Sequence, residues 1–252
     1  MSTRSQRGRS VQTKKSGGSA RTLYIAMGIV AILIIAAAAT ISLQNRQTAT
    51  AIPGREPGRA ERTVAMSVGD DGFFFKGNPD APVTVTEYSD FQCPGCAYFA
   101  TALSAQFEQE YIDTGRVKFV YHEYPLNGHV NGVPSAQAAR CAGEQGADKY
   151  WMMHDYLFTN QRQWSGQANP QAQFVAYANQ IGLDSAAFES CYSSNRFAAA
   201  ITAAKSSGDA MLLPGTPSFA VNGRLVDTTG AGSVDDIYAR MRQAVDQALA
   251  GQ

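Results

Sequence analysis

The sequence predicts an α/β fold in which a small sheet is interrupted by an all-helical section and preceded by one apolar span. Three observations carry that reading. A strand–helix–strand pattern fills residues 83–124, helical periodicity runs on from there past residue 200, and a hairpin followed by an amphipathic helix closes the chain.

The chain has 252 residues, 44% of them hydrophobic and 17% charged, which excludes a collagen-like, fully disordered or polytopic membrane chain. Its formal charge of zero hides an asymmetry. Residues 1–21 hold Arg4, Arg7, Arg9, Lys14, Lys15 and Arg21 and no acid, whereas the chain from residue 63 carries 11 basic and 19 acidic side chains. An acidic body offers no electrostatic footprint for nucleic acid, and that class of partner is set aside.

Between Arg21 and Arg46 no residue is charged, and Leu23 to Leu43 is almost wholly apolar. Those 21 positions span about 31 Å as a helix, the thickness of a bilayer's hydrocarbon core. The expected organisation is a basic cytoplasmic tail (1–21), a transmembrane anchor in the lipid bilayer (22–43), a Pro/Gly/Thr-rich stalk (44–62) and a folded domain (63–252) outside the cytoplasm. The rival, a cleaved signal peptide, normally has an apolar region of only about 7–15 residues. An extracytoplasmic domain resides where disulfides persist.

Within the body, Val83–Ser89 is rich in β-branched residues and reads as a buried strand. From Cys93 to about Tyr111 the apolar residues Phe99, Leu103, Phe107 and Tyr111 recur at helical spacing, and Val117–Tyr124 is a second strand. A unit of this length favours parallel strands. Helices are expected at 134–145, 149–160, 169–181, 185–193 and 195–211, with Tyr150, Trp151, Met152, Met153 and Trp164 in their core. Strands at 217–221 and 224–227 flank Asn222-Gly223, a strong hairpin signal, and a helix over Val234–Leu249 has Ser233 as its cap.

Chemistry concentrates at Cys93-Pro94-Gly95-Cys96, where the first strand passes into the first helix. Two cysteines three apart in a first helical turn share a face and lie within disulfide reach. The first sulfur sits among unpaired N–H groups at the positive end of the helix dipole, so its pKa is expected below the ordinary value of about 8.5. Pro94 suits the first turn, having no N–H to lose. Cys96 is expected to be the more buried, resolving thiol. Two other readings stand beside redox chemistry. Half a zinc site is one, although no second Cys-X-X-Cys or spaced His pair completes it; a static disulfide is the other, although so short a ring stabilises little. His122, His129 and His154 are too scattered for a metal site and are read as packing residues.

These features together resemble a family. Residues from about 70 to 250 are similar to the thioredoxin-fold thiol–disulfide oxidoreductases and, within them, to the membrane-anchored DsbA-like proteins. The resemblance rests on Glu-Tyr-Ser-Asp-Phe-Gln-Cys-Pro-Gly-Cys (87–96), Ala-Ala-Arg-Cys-Ala (138–142) with Met-His-Asp-Tyr-Leu-Phe (153–158), Gly-Thr-Pro-Ser-Phe-Ala-Val-Asn-Gly (215–223) and the terminal helix, in that order.

What the resemblance implies is a thioredoxin fold with a helical insertion over about 128–212, behind the N-terminal transmembrane helix. It makes Cys93 the nucleophile and Cys96 its partner, with Pro94 and Gly95 as the active-site dipeptide. Pro217 becomes a cis proline whose neighbour Thr216 lies opposite the Cys93 sulfur and pairs with client peptide; without the resemblance an X–Pro bond is expected trans. Glu87 matches a buried carboxylate that exchanges a proton with Cys96, against the bland reading of a strand-edge Glu facing water. Cys141 and Cys191, by position alone, either pair or stay buried as thiols, and the resemblance implies that they form a second, structural disulfide. One departure stands out: Gly95 occupies the place where the strongest oxidants of the family carry His.

The implied function is extracytoplasmic protein-disulfide oxidoreductase at a bacterial cell membrane, with the catalytic domain on the periplasmic side. It would donate the Cys93–Cys96 disulfide to reduced secreted or periplasmic proteins and be reoxidised by a quinone-linked membrane partner of the DsbB or vitamin K epoxide reductase type, with no cofactor and no metal. A reductase or isomerase of the same fold is the enzymatic alternative. A non-catalytic peptide-binding module using Thr216–Pro217 is the alternative from another class.

Overall fold

The structure, a computed structural model, describes residues 64–251. The basic tail, apolar span and stalk expected over residues 1–62 lie outside them, and among the described residues no helix is long and apolar enough to cross a membrane.

Two parallel strands form the centre of the sheet. In β3 (Val83–Ser89) and β4 (Val117–Glu123), Val83 pairs with Val117 and the register holds through Ser89 and Glu123. Val83, Val85, Val117 and Tyr121 are all fully buried, as strands covered on both faces require. On the β3 side β5 (Ser218–Val221) adds antiparallel, followed by the two-residue β6 (Arg224–Leu225). The turn between them has Asn222 and Gly223 both at positive φ, the geometry of the two-residue hairpin that Asn-Gly favours. Asn222 also binds back to β3: its side chain accepts from the Thr84 N–H at 2.8 Å.

Two strands not expected from the sequence, β1 (Met66–Val68) and β2 (Phe74–Lys76), complete the other edge, giving the order β1-β2-β4-β3-β5-β6. They are three residues each, and β2 pairs antiparallel with β4. Phe74, Phe75 and Lys76 are all buried, so neither face of β2 is polar and no alternation marks it.

The connection from β3 to β4 is one helical run, α1, over residues 94–112. Turns of π type at Phe99–Leu103 and Glu108–Ile112 interrupt its regular segments Pro94–Tyr98 and Ser104–Phe107. Between β4 and β5 come α2 (Gly132–Gly143), α3 (Ala147–Thr159), the short α4 (Gln161–Trp164), α5 (Gln171–Gln180), α6 (Ser185–Ser193) and α7 (Ala198–Ala210). Five of these lie within three residues of expectation at either end. α4 was not expected, being one turn with no period to read. The last helix, α8 (Val234–Ala250), begins at Ser233, whose hydroxyl accepts from the Asp236 N–H at 3.1 Å.

α1, α3 and α8 cover one face of the sheet: Phe99 packs on Phe119, Phe219 and Tyr238, and Trp151 on Tyr121. α7 covers the other, where His122 bonds Ser207 at 2.9 Å and Tyr124 donates to Asp209 at 2.7 Å. Tyr150, Trp151, Met153 and Trp164 are buried as read from the sequence, and Met152 is half-buried. The insertion is tied by a disulfide between Cys141 of α2 and Cys191 of α6, 50 residues apart.

One contact shows how tightly the insertion meets the sheet. A Cβ on Gly143 would lie 2.3 Å from Phe74 Cζ, and the Phe74 ring cannot retreat because it stacks on Tyr150 at 3.9 Å. Gly143→Ala is therefore expected to cost about 1–3 kcal/mol by overpacking. Urea unfolding checks it: the midpoint should fall at constant slope, and an unchanged midpoint would contradict the contact.

Candidate active site

β3 delivers its last residues to the start of α1 through a turn that Asp90 builds. The Asp90 carboxylate is buried and accepts from the Gln92 N–H at 2.8 Å, the Leu126 N–H at 2.8 Å and His129 Nδ1 at 2.6 Å. Its carbonyl accepts from the Cys93 N–H at 2.9 Å. Cys93 is extended (φ −73°, ψ 124°) and is the last residue before the helix, with Pro94 as the first one in it. Both cysteines carry free thiols; Cys96 is fully buried and Cys93 is 8% exposed.

The Thr216–Pro217 peptide bond is cis and brings the loop before β5 against this helix start. The Cys93 thiol donates to the Thr216 carbonyl at 3.4 Å. A Cβ on Gly95 would meet Pro217 Cδ at 3.3 Å and Val234 Cγ2 at 3.4 Å, so a side chain there would press on the cis proline and the first residue of α8.

The two sulfurs share a helical turn and experience opposite surroundings. The Cys93 pKa falls to about 6: the Cys96 thiol donates to it, the backbone N–H groups of Cys96 and Gly95 favour the charged form, and these outweigh partial burial. Cys96 is pushed well above the ordinary thiol range by burial first, then by the neighbouring Cys93 and Glu87.

Glu87 lies in the middle of β3, between Tyr121 of β4 and Phe219 of β5, and is 1% exposed. It is thus in a central strand, not at a wet edge. Burial raises its pKa to about 8, so it is mainly protonated at neutral pH. Glu87 Oε1, the Ser89 hydroxyl and the Tyr121 hydroxyl are all buried, and a hydrogen bond from Ser89 opposes part of the rise at Glu87. Glu87, Ser89 and Tyr121 share one face of the sheet, the face on which Cys96 is buried.

The chain brings together Cys93, Pro94, Gly95, Cys96, Glu87, Thr216 and Pro217. Cys141 and Cys191 stand apart, in the insertion. His122 and His154 are packed among aromatic rings, His154 also bonding Asp155 at 2.8 Å, and among the described residues no group of side chains is arranged to hold a metal. Sequence reasoning missed Asp90, Ser89, Tyr121 and Gln161. An Asp three residues before the first cysteine is a turn signal that would have marked Asp90. The buried Gln161, which donates to the Phe91 and Cys93 carbonyls, has no such mark.

The sequence model of the family described as Thioredoxin matches residues 71–241. A Rickettsia bellii protein named provisionally as a protein-disulfide oxidoreductase is 27% identical over 180 residues, covering 71% of this chain and 66% of the relative. The Na(+)/H(+) antiporter NhaA 1 of Salinispora arenicola is 34% identical over 162 residues, 64% of this chain, and the match spans only 23% of that antiporter's length. In fold, the oxidised BdbD of Bacillus subtilis superposes with a TM-score of 0.61 at 22% identity, over 70% of this chain and 92% of that one. The chain belongs to the thioredoxin family. Residues 64–251 are thus similar to a relative named as a protein-disulfide oxidoreductase, and they share the fold of BdbD.

The Glu87 shift carries a sign that can be checked. A carboxyl whose pKa rises from 4.5 to about 8 on folding contributes stability that is full below pH 4.5 and is lost as pH rises through 8. Glu87→Gln, neutral throughout, lacks that loss. Unfolding of the reduced protein at pH 5 and pH 8.5 should therefore show the variant gaining on wild type at the higher pH. A difference that stays constant between the two would refute the buried carboxyl's shift.

Proposed function

We propose that this protein is an extracytoplasmic thiol–disulfide oxidoreductase that donates a Cys93–Cys96 disulfide to reduced secreted or periplasmic proteins. The observation that carries the reading is the acidified Cys93 thiol beside a buried, high-pKa Cys96. A client thiolate attacks Cys93 Sγ; the bond to Cys96 breaks, and Cys96 leaves as a thiolate. That anion is disfavoured where it is buried, and the protonated Glu87 beneath it supplies the proton. A second client thiolate then attacks the client sulfur of the mixed disulfide. Cys93 departs as a thiolate that its helix start stabilises, and the client is oxidised by two electrons as the enzyme is reduced.

In this reading Thr216 offers its backbone to an extended client beside the nucleophile, in the manner of strand addition, and Pro217 holds it there. The Cys141–Cys191 bridge is structural, being buried in the insertion away from both active-site sulfurs. Residues 22–43 anchor the domain in the membrane behind the stalk (44–62), with the basic tail (1–21) cytoplasmic. That keeps it in one bilayer with a quinone-linked reoxidising partner, of the DsbB or vitamin K epoxide reductase type.

One observation favours a milder oxidant or an isomerase as the second reading. Gly95, where the strongest oxidants carry His, supplies only backbone donors and is closed in by Pro217 and Val234. The potential of the Cys93–Cys96 couple, measured on the full chain against glutathione, separates both of these from a reductase. The oxidase and isomerase readings expect about −120 to −180 mV, and a value near −270 mV would place the protein with the reductases. Cys96→Ala should accumulate mixed disulfides with its clients through Cys93; if none form, client donation fails.

A further inference from the structure

The peptide that carries the nucleophile is held from behind by side-chain amides of the insertion. Gln161, the first residue of α4, is buried, and its Nε2 donates to two carbonyls at once, Phe91 at 2.7 Å and Cys93 at 2.9 Å. Gln92 Nε2 donates to the Ser165 carbonyl at 2.9 Å. Asn131 Nδ2 donates to the carbonyls of Ser165 at 3.1 Å and Gln167 at 2.8 Å, while the Asn131 N–H donates to Gln92 Oε1 at 2.7 Å. Residues 91–93 are thus braced against residues 161–167 by neutral groups that hold at any working pH.

The two carbonyls that Gln161 takes are ones the regular elements leave under-used. Phe91 lies past the end of β3, and the Cys93 carbonyl accepts the first helical bond from Ala97 at 3.1 Å and has a second lone pair free. A buried carbonyl oxygen without a donor is costly, and Gln161 Nε2 supplies a donor to both. It also fixes the Cys93 backbone, on which the aim of the Gly95 and Cys96 N–H groups at the sulfur depends.

We propose that Gln161 is a positioning residue for the nucleophile: by clamping the Phe91 and Cys93 carbonyls it holds the start of α1 in the geometry that keeps the Cys93 sulfur reactive. The helical insertion would then govern exchange without a hydrogen bond of its own to either active-site sulfur. This inference rests on Cys93 being the nucleophile.

The test is the alkylation rate of Cys93 against pH in the reduced full chain, using limiting iodoacetamide; the buried Cys96 reacts slowly. Gln161→Met keeps the side chain's length and removes the donor. Gln161→Glu, once ionised, removes the donor and adds a charge facing the carbonyls. A midpoint about one unit higher than wild type is expected for Gln161→Met and a larger shift for Gln161→Glu, which at pH 6 means about fivefold slower alkylation or more. Rates should converge at pH 9, where the thiol is ionised in every form, a convergence that simple destabilisation would not produce. Gln163→Ala, on the same turn and outside the clamp, should titrate as wild type. Either Gln161 variant decides the matter if only one folds, and a wild-type midpoint in a folded variant overturns the clamp. A wild-type Cys93 that titrates like free cysteine would overturn the reading of the site beneath it, and the clamp with it.

Discussion

The structure around the active site depends on an asymmetry between two sulfurs one helical turn apart. Cys93 ends an extended segment and meets donors: the Cys96 thiol and the N–H groups of Gly95 and Cys96. Cys96, three residues on, faces the sheet and meets no water at all. A dithiol with one acidic and one suppressed member reacts at a defined sulfur and releases a defined leaving group. Each neighbouring element serves that difference. Asp90 stops β3 and fixes the turn, Pro94 begins the helix without wasting a donor, and the loop with the cis Thr216–Pro217 bond closes over the exposed side.

Maintaining the asymmetry carries a cost that the rest of the fold absorbs. A protonated Glu87 buried in a central strand is an expensive arrangement for a sheet interior. It persists because the surroundings over-determine it. Aromatic rings of α3 and of the turn before α1 pack the same face, Phe91 against Tyr121 and Phe158, and Trp151 against Tyr121. The Cys141–Cys191 bond ties the insertion that supplies α3. A carboxyl near neutrality beside a thiol that gains and loses a proton in the proposed exchange is the kind of local destabilisation that functional sites retain.

What the sequence made legible was what is local and periodic. β3, β4, the hairpin turn and α8 each follow from a few adjacent residues, and the Cys93–Cys96 pair announces its chemistry because spacing and helix start lie in one short segment. β1 and β2 were not legible, since three buried residues in a row leave no alternation. Glu87 admitted two readings because a carboxyl in an alternating strand looks the same at an edge or in the middle. Only the flanking of β3 by β4 and β5 decides its burial. Thr216 and Pro217 lie more than 120 residues from Cys93 and came through the family resemblance alone, intrinsic X–Pro preference pointing to the trans isomer. Gln161 was invisible, being one amide in a polar run whose partners are backbone atoms some 70 positions away.

Membership of the thioredoxin family accounts for the sheet and the place of the cysteines, and the Salinispora antiporter shows a related segment joined to a far longer chain. Neither states how acidic this particular sulfur is, and the proposed direction of exchange turns on that. The most direct measurement is the thiolate absorbance of the reduced protein as a function of pH, with Cys93→Ala as the reference that isolates the Cys93 signal. The account predicts a transition near pH 6 that vanishes in the variant. A Cys93 transition near the free-thiol value of about 8.5 would contradict it.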